Sequence, residues 1–465
     1  MTEYFWQYLN DFRLFPVYNA VSGSKFRNIT QWVRKAWLIY NESYYLLMIK
    51  NIGFVGTRFQ GTDGVSLESN KWADVLERDD YNLFWFAGKL DKDPDCSMCI
   101  PEAYFGHSEV EWINARIWGY KNRSRIVTRR IHDLADYIKS RIYDFVKFYN
   151  LDLLIIENAL AIPMHVPLGV ALTEYMSESQ TPVIAHHHDF YWERTRFEIN
   201  CVHDFLQMAF PPREVSMQHV VINQAGQETL AWRKGVPSIL VPNVLDFETP
   251  APGIDEYNAD VRKEIGLSDD DIMLLQPTRV VPRKGIEHAI ELVEMLNDHR
   301  YKLVISHEAG DEGYEYKALL EEIASDAGID IHFVSTRVGE RRQLNSKGEK
   351  IYTLWDLYPH ADLVTYPSLY EGFGNAFLES IYFRKPLLVN RYSIYARDIE
   401  PKGFKVAMMD GLITPKVINH VKRILNDEEY RNDMVEVNYQ LAKKFYSYSV
   451  LDRKLNSLMA NIEGT

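Results

Sequence analysis

Cysteine is scarce in this 465-residue chain: Cys96, Cys99 and Cys201 are too few for a disulfide framework, which points to a reducing, cytoplasmic setting. No stretch of about 18 apolar residues occurs, so no segment is expected to span a membrane. Basic residues are in deficit, 52 Lys and Arg against 65 Asp and Glu, and the net charge of −13 argues against nucleic acid or an anionic bilayer as partner. Repeats of solenoid period and low-complexity tracts are lacking too, which excludes a repeat array. What is present fits a folded globular chain, with 46% hydrophobic and 13% aromatic residues over a length that favours two separate cores.

Residues 1–47 are rich in aromatic and basic residues but have neither the continuous apolar stretch nor the small-residue cleavage site of a signal peptide. They read as a dispensable extension, with Met48 as an alternative start. From residue 48, short apolar runs alternate with longer amphipathic stretches, the signature of βαβ units about a parallel sheet. NIGFVGT (51–57), NLFWFAG (82–88), LDLLIIENA (151–159), PVIAHHH (182–188), HVVIN (219–223) and SILVPN (238–243) form one series. DIMLLQPTR (271–279), YKLVISH (301–307), IDIHFVS (329–335), ADLVTYPS (361–368) and KPLLVN (385–390) form a second. The expected fold class is α/β with two Rossmann-like, doubly wound parallel sheets. The stretch VPNVLDFETPAPGIDEYNADVR, rich in Pro, Asp and Asn, reads as a linker. It divides an N-terminal domain, 48–242, from a C-terminal domain, 243–441, and a terminal helix over about 442–465 is expected to cross back to the first. The irregular insert from 90 to 130 carries no assignment.

Two segments hold residue types suited to a phosphorylated ligand. In PSLYEGFGNAFLESIYFRKPLLV a strand ends near Ser368, a loop carries Glu371, Gly372, Phe373 and Gly374, and a helix starts near Asn375. The glycines let the backbone approach a ligand, and a helix start offers N–H groups and a positive dipole end to an anion. Glu371 and, two turns into the helix, Glu379 can each accept from a hydroxylated ligand. In LLQPTRVVPRKGIEHAI, Arg279 ends a strand and Lys284 precedes a helix, placing two cations at the carboxyl edge where open α/β sheets bind ligands. Arg283 reads as solvated. Each segment alone also fits an ordinary loop with solvated charges.

Together, R-V-V-P-R-K-G and E-G-F-G-N-x-x-x-E resemble the retaining glycosyltransferases of family 4, and the resemblance extends from Met48 to the C-terminus through PNVLDF and YPHADLVTYPSLYEGFG. It implies the GT-B fold, two Rossmann-like domains with a nucleotide sugar in the cleft between them. It further implies that Arg279 and Lys284 hold the donor diphosphate, that Glu371 accepts from donor hexose hydroxyls, and that Glu379 binds the ribose. Backbone N–H groups of Phe373, Gly374 and Asn375 would face sugar and phosphate. The family's Gly-rich loop corresponds to GTRFQGTDGVSLE, with Gly64 on the donor side, although T-D-G replaces the usual adjacent glycines. His188, at a strand end, corresponds to the family's contact with the donor 6-hydroxyl. Of His186, His187 and His188, at most two can share a face of the strand. A metal site is the competing reading, for which no further ligands stand out in the sequence. No metal or other cofactor is expected, the nucleotide sugar being a substrate.

Acceptor contacts are expected at Arg58, Glu157, Asn158, Asp189, Tyr191, Trp192, Arg194 and Arg196, because aromatic faces stack on sugars and Arg pairs with carboxylate or phosphate. The three arginines hint at an anionic acceptor. TRFQGTDGVSLE, ENALAIPM, AHHHDFYWER, HEAGDEG and NRYSIYARDIEPKGF resemble the branch of the family that makes mannosylglucosylglycerate-type compatible solutes. That resemblance implies GDP-mannose as donor and glucosylglycerate or its phosphate as acceptor. The alternatives are a sucrose-phosphate- or trehalose-synthase-like glucosyltransferase using UDP- or ADP-glucose, and a non-catalytic sugar- or nucleotide-binding protein. A homo-oligomer stays open. Cys96-x-x-Cys99 stands alone, and Asp91-x-Asp93 reads as a solvated turn.

Overall fold

Apolar runs of five or six residues flanked by turns become parallel strands in the computed structural model, which describes residues 49–61, 63–309 and 313–464. The expectations for residues 1–47 lie outside the described residues. Ile49, whose N–H donates to Glu463 at 3.1 Å, belongs to a small unit with the chain's last residues, and Lys50–Ile462 form the main body.

In the main body, β1 (Asn51–Val55), β2 (Asn82–Ala87), β3 (Ser97–Cys99), β4 (Leu153–Glu157), β5 (Val183–His187), β6 (Met217–Val221) and β7 (Ile239–Leu240) pair in the order β3-β2-β1-β4-β5-β6-β7. A second sheet has the order β10-β9-β8-β13-β14-β15. Its strands are β8 (Ile272–Gln276), β9 (Tyr301–Ile305), β10 (Ile331–Phe333), β13 (Leu363–Tyr366), β14 (Leu387–Asn390) and β15 (Ala407–Met409). A two-stranded hairpin of β11 (Gln343–Leu344) and β12 (Lys350–Ile351) stands apart. Every pairing within the two large sheets is parallel. Parallel sheets covered on both faces admit continuous apolar strands, and β4 and β13 are buried at every position. The strand order turns between β1 and β4 in the first sheet and between β8 and β13 in the second. Such switch points, outside the carboxyl ends of the strands, are where α/β sheets bind ligands.

The helices that matter below are α1 (Gly64–Arg78), α2 (Arg125–Tyr149), α3 (Ile286–Leu296), α4 (Asn375–Tyr382), α5 (Glu428–Tyr446) and α6 (Tyr448–Glu463). The insert left unassigned from the sequence contains edge strand β3, a helix over Ser108–Ile117 and the start of α2. The stretch that reads as a linker is packed: Val241, Val244, Leu245 and Phe247 are buried, and the Val244 N–H donates to the buried Glu68 carboxylate of α1 at 3.0 Å. Beside it, the Leu245 N–H donates to the Tyr446 carbonyl at 2.9 Å, where α5 ends. α6 then runs back onto the first sheet's side, with Tyr448 donating to Asp74 of α1 at 3.1 Å and Gln218 of β6 donating to the Leu458 carbonyl at 3.2 Å.

Candidate functional site

The loops after β8 and β13 meet beyond the ends of these adjacent strands. Gly285 permits the approach: its φ is 58°, and a Cβ there would stand 2.6 Å from the Pro367 carbonyl oxygen. Lys284, 8% exposed, is ion-paired with Glu371, 7% exposed, and Arg283 Nη1 reaches the other carboxylate oxygen at 3.2 Å. Arg283 is therefore half-engaged at the site rather than solvated. Burial pushes the Glu371 carboxyl up, but the Lys284 and Arg283 charges outweigh it and hold it below the usual carboxylate range. Burial likewise pushes the Lys284 amine down against the pull of Glu371. Buried charge is tolerated here because it is paired. His307, just past β9, escaped the sequence reading. Burial, then the Arg279 and Lys284 charges, push its pKa down to about 4, so a neutral imidazole stands among these cations. Only the adjacency of β8 and β9 reveals it.

Gly374 precedes α4 with φ of 120°, and a Cβ there would lie 2.7 Å from the Tyr366 hydroxyl and 2.9 Å from that of Tyr392. No side chain caps α4, which leaves its first N–H groups available to a ligand. The Phe373 ring is core, stacked edge-on against Tyr446 with centroids 5.2 Å apart, so Phe373 offers backbone only. Its carbonyl accepts from Tyr392 at 2.7 Å. The Asn375 side chain is taken by Asn243 at 2.8 Å. Glu379 accepts from Tyr358 at 2.9 Å; burial raises its pKa, with the Lys71 charge from α1 opposing. Gly374→Ala is expected to cost about 1–3 kcal/mol through a strained backbone and displaced tyrosines. The check is the unfolding midpoint of the variant against wild type.

On the first sheet, β4 and β5 end with Glu157 beside His186. Glu157 Oε2 lies 3.0 Å from His186 Nδ1 and 3.3 Å from His188 Nε2. His187 turns to the other face and meets His219 at 3.0 Å, as strand alternation requires. Burial raises the Glu157 carboxyl, but the two histidines outweigh it and bring its pKa down to about 2. The three groups place their ligand-type atoms within 4.8 Å of one another, so a third candidate metal ligand does exist beside the histidines.

Several expected acceptor residues are otherwise occupied. Glu157 is 2% exposed with both oxygens turned to histidine, which corrects its placement as an acceptor contact. Asn158 braces the backbone, accepting from the His188 N–H and donating to Asp189, both at 3.0 Å. Asp189 in turn pairs with Arg194. Arg58 pairs with Asp63 at 2.9 Å. Asp63 caps α1 through the Val65 and Ser66 N–H groups, so two of the first N–H groups of the helix are taken by the chain's own carboxylate and Gly64, beside them, stands open. Trp192 stacks on Phe190 with centroids 4.5 Å apart, and Tyr191 packs at the edge of the core. Arg196 lies over the Phe197 ring and has no carboxylate partner among the described residues. Asp93 caps the turn over Pro94–Cys96, and the cysteines are unbridged.

The two halves meet beside this site. Asn223, after β6, donates to the Gly372 carbonyl at 2.7 Å, and Tyr370 donates to Glu193 at 2.8 Å.

Residues 258–441 match the family described as Glycosyl transferases group 1. The chain is 32% identical over 387 residues to the mannosylglucosylglycerate synthase of Petrotoga mobilis, an alignment covering 77% of this chain and 86% of that protein. It is 29% identical over 425 residues to the enzyme of the same name from Thermotoga maritima, with 84% and 95% covered. Among solved structures, a glycosyltransferase from Rickettsia africae superposes with a TM-score of 0.63 at 13% identity, covering 89% of this chain and 98% of that one. No helix among the described residues is long and apolar enough to cross a membrane.

Proposed function

As the chain belongs to the group 1 glycosyltransferases and has their GT-B arrangement of two parallel-sheet halves, we propose that it transfers mannose from GDP-mannose to glucosylglycerate with retention of configuration. The observation that carries this reading is the cluster at the second sheet's switch point: Arg279, the Lys284–Glu371 pair and the uncapped start of α4. Fixed cations and a positive helix end meet the charge that grows on a departing diphosphate. The carboxylate of Glu371 orients hexose hydroxyls, and Glu379 takes the ribose. The acceptor hydroxyl attacks on the face the diphosphate leaves, and its proton passes to a diphosphate oxygen. Because Arg279 and Lys284 supply the positive charge, no divalent cation is required. The acceptor and the mannosyl group follow the names of the Petrotoga and Thermotoga relatives.

Arg196 is the arginine left to meet an acceptor carboxylate. A hydrogen bond to a charged group is worth about 1.5–3 kcal/mol, so kcat/KM for glucosylglycerate is expected to exceed that for neutral glucosylglycerol by about tenfold or more. Arg196→Ala should close the gap. The test is a panel of nucleotide sugars and acceptors, run with and without excess EDTA, with product mass and anomeric configuration as readout. Equal use of the acid and the neutral acceptor overturns the acceptor assignment. Turnover lost to EDTA and restored by Mg²⁺ or Mn²⁺ overturns metal independence.

A further inference from the structure

The first sheet carries a second recess, at the edge opposite the site above. A cavity of about 390 Å³, within the size range of small-molecule sites, opens between the amino ends of β6 and β7. β6 is five residues long, which keeps it about 15 Å from the carboxyl edge at ~3.3 Å per residue. Met217, Val236 and Ile239 give the cavity apolar walls, and Arg213, Glu214 and His219 also line it. Arg213 and Glu214 are neighbours in the chain, yet among the described residues neither forms an ion pair with the other or with any other side chain. His219 is the buried member, 6% exposed. Its Nδ1 lies 3.0 Å from His187 Nε2, which leaves Nε2 as the ring nitrogen available to the cavity.

The proton in that contact can be placed. His187 Nδ1 is buried with no hydrogen-bond partner, and a proton there would be a buried N–H without an acceptor, a rare and costly orphan. The His187 proton therefore stands on Nε2 and is donated to His219 Nδ1. Since Nδ1 accepts, His219 carries its own proton on Nε2. Burial, then the Lys234 charge, push the His219 pKa down to about 4, in keeping with a neutral ring. The cavity thus offers one fixed N–H donor, one guanidinium and one carboxylate beside an apolar wall.

We propose that this cavity binds a free α-amino acid with an apolar side chain, at a site separate from the cleft between the sheets. The ligand carboxylate takes Arg213 and the His219 Nε2–H, its ammonium takes Glu214, and its side chain lies on Met217, Val236 and Ile239. A simple anion would meet Glu214 and a simple cation would meet Arg213 at the same opening. A molecule whose two charges are borne on one carbon satisfies both, and charge-assisted hydrogen bonds to carboxylate and ammonium are the strong ones. A peptide, with its terminal charges on different residues, does not offer that pair. Lys234, buried with Nζ donating to the Leu206 and Gln207 carbonyls at 3.1 Å, adds positive charge near His219 and favours the carboxylate at the buried end. The site does not depend on the donor or acceptor proposed above.

The experiment is equilibrium dialysis of the full chain against labelled L-leucine as probe, with competition by isocaproate, which is leucine without its ammonium, and by isopentylamine, which is leucine without its carboxylate. Leucine should bind saturably at one site per chain. Each analogue should bind about tenfold or more weakly, because each forfeits one charged contact. In Glu214→Gln the preference for leucine over isocaproate should disappear, and in Arg213→Ala the preference over isopentylamine. Neither side chain has a partner to lose, so both variants should unfold near the wild-type midpoint. Absence of saturable binding at millimolar leucine overturns the site, and this measurement needs no variant. Either analogue binding as tightly as leucine to the wild type overturns the amino-acid assignment. Preferences that stay unchanged in both variants would place the bound leucine elsewhere and overturn the proposal as well.

Discussion

Replacing Arg279 or Lys284 with alanine is expected to lower kcat by about 10² to 10³, the loss found when one preorganised donor is removed from a site of growing negative charge. The bound donor already carries diphosphate charge, so the donor KM should rise too, while the larger loss falls on kcat, where that charge grows. The two variants should differ in stability. Arg279 is exposed, and its removal leaves the Lys284–Glu371 pair intact, so its unfolding midpoint should fall less than that of Lys284→Ala. Lys284→Ala strands a buried carboxylate beside Arg283 alone and lowers the midpoint as well. Steady-state rates and thermal unfolding on the same preparations check both halves. Near-full turnover in both variants would place the leaving diphosphate elsewhere.

Glu371→Ala should be the more damaging change to the fold. Removing one partner of a buried ion pair commonly costs about 3–5 kcal/mol, because the other charge stays buried without compensation. Here that partner is Lys284, and Arg283 would lose its acceptor too. Glu371→Leu combined with Lys284→Met should recover much of the loss, since an apolar pair of similar size avoids the desolvation penalty, yet it should remain inactive. Denaturant unfolding of the single and double variants measures the coupling. A single variant as stable as wild type would show that water reaches the pair in solution.

The strand runs of both halves were legible because each central strand buries five or so apolar residues in a row, a pattern local to the chain. Edge strands β3 and β15 are not among those runs, whereas β10 and β7, equally short and at sheet edges, stand out because IDIHFVS and SILVPN extend their apolar pattern beyond the paired residues. The same divide separates the site residues. The family resemblance puts Lys284 and Glu371 at one site, on diphosphate and hexose respectively, but that they pair with each other is seen only in the structure. His307 stayed hidden because its closeness to Arg279 and Lys284 follows from β9 lying beside β8, not from spacing. Glu157 was assigned to the acceptor because it ends a strand at the right edge. Its partners, His186 and His188, come from the next strand, and register across a sheet is not written in either segment alone. Asp63 shows the converse: the T-D-G departure was visible, but that its carboxylate would turn back to cap α1 depends on side-chain geometry.

The return of α6 to the first half has a consequence for how the protein is made. All of β1–β7 has been synthesised by residue 240, yet Asp74 and Gln218 wait for partners at Tyr448 and Leu458. Leu451, Leu455 and Leu458, buried in the folded protein, follow β7 only after the whole of the second sheet. The first half therefore emerges with an unfinished surface and keeps it while the whole second sheet is translated. Contacts of such long sequence separation form late, and apolar surface uncovered in the interval invites aggregation. A nascent chain stalled anywhere in the second half would present that surface throughout, which makes the N-terminal half, not the half still being built, the part more open to aggregation during synthesis.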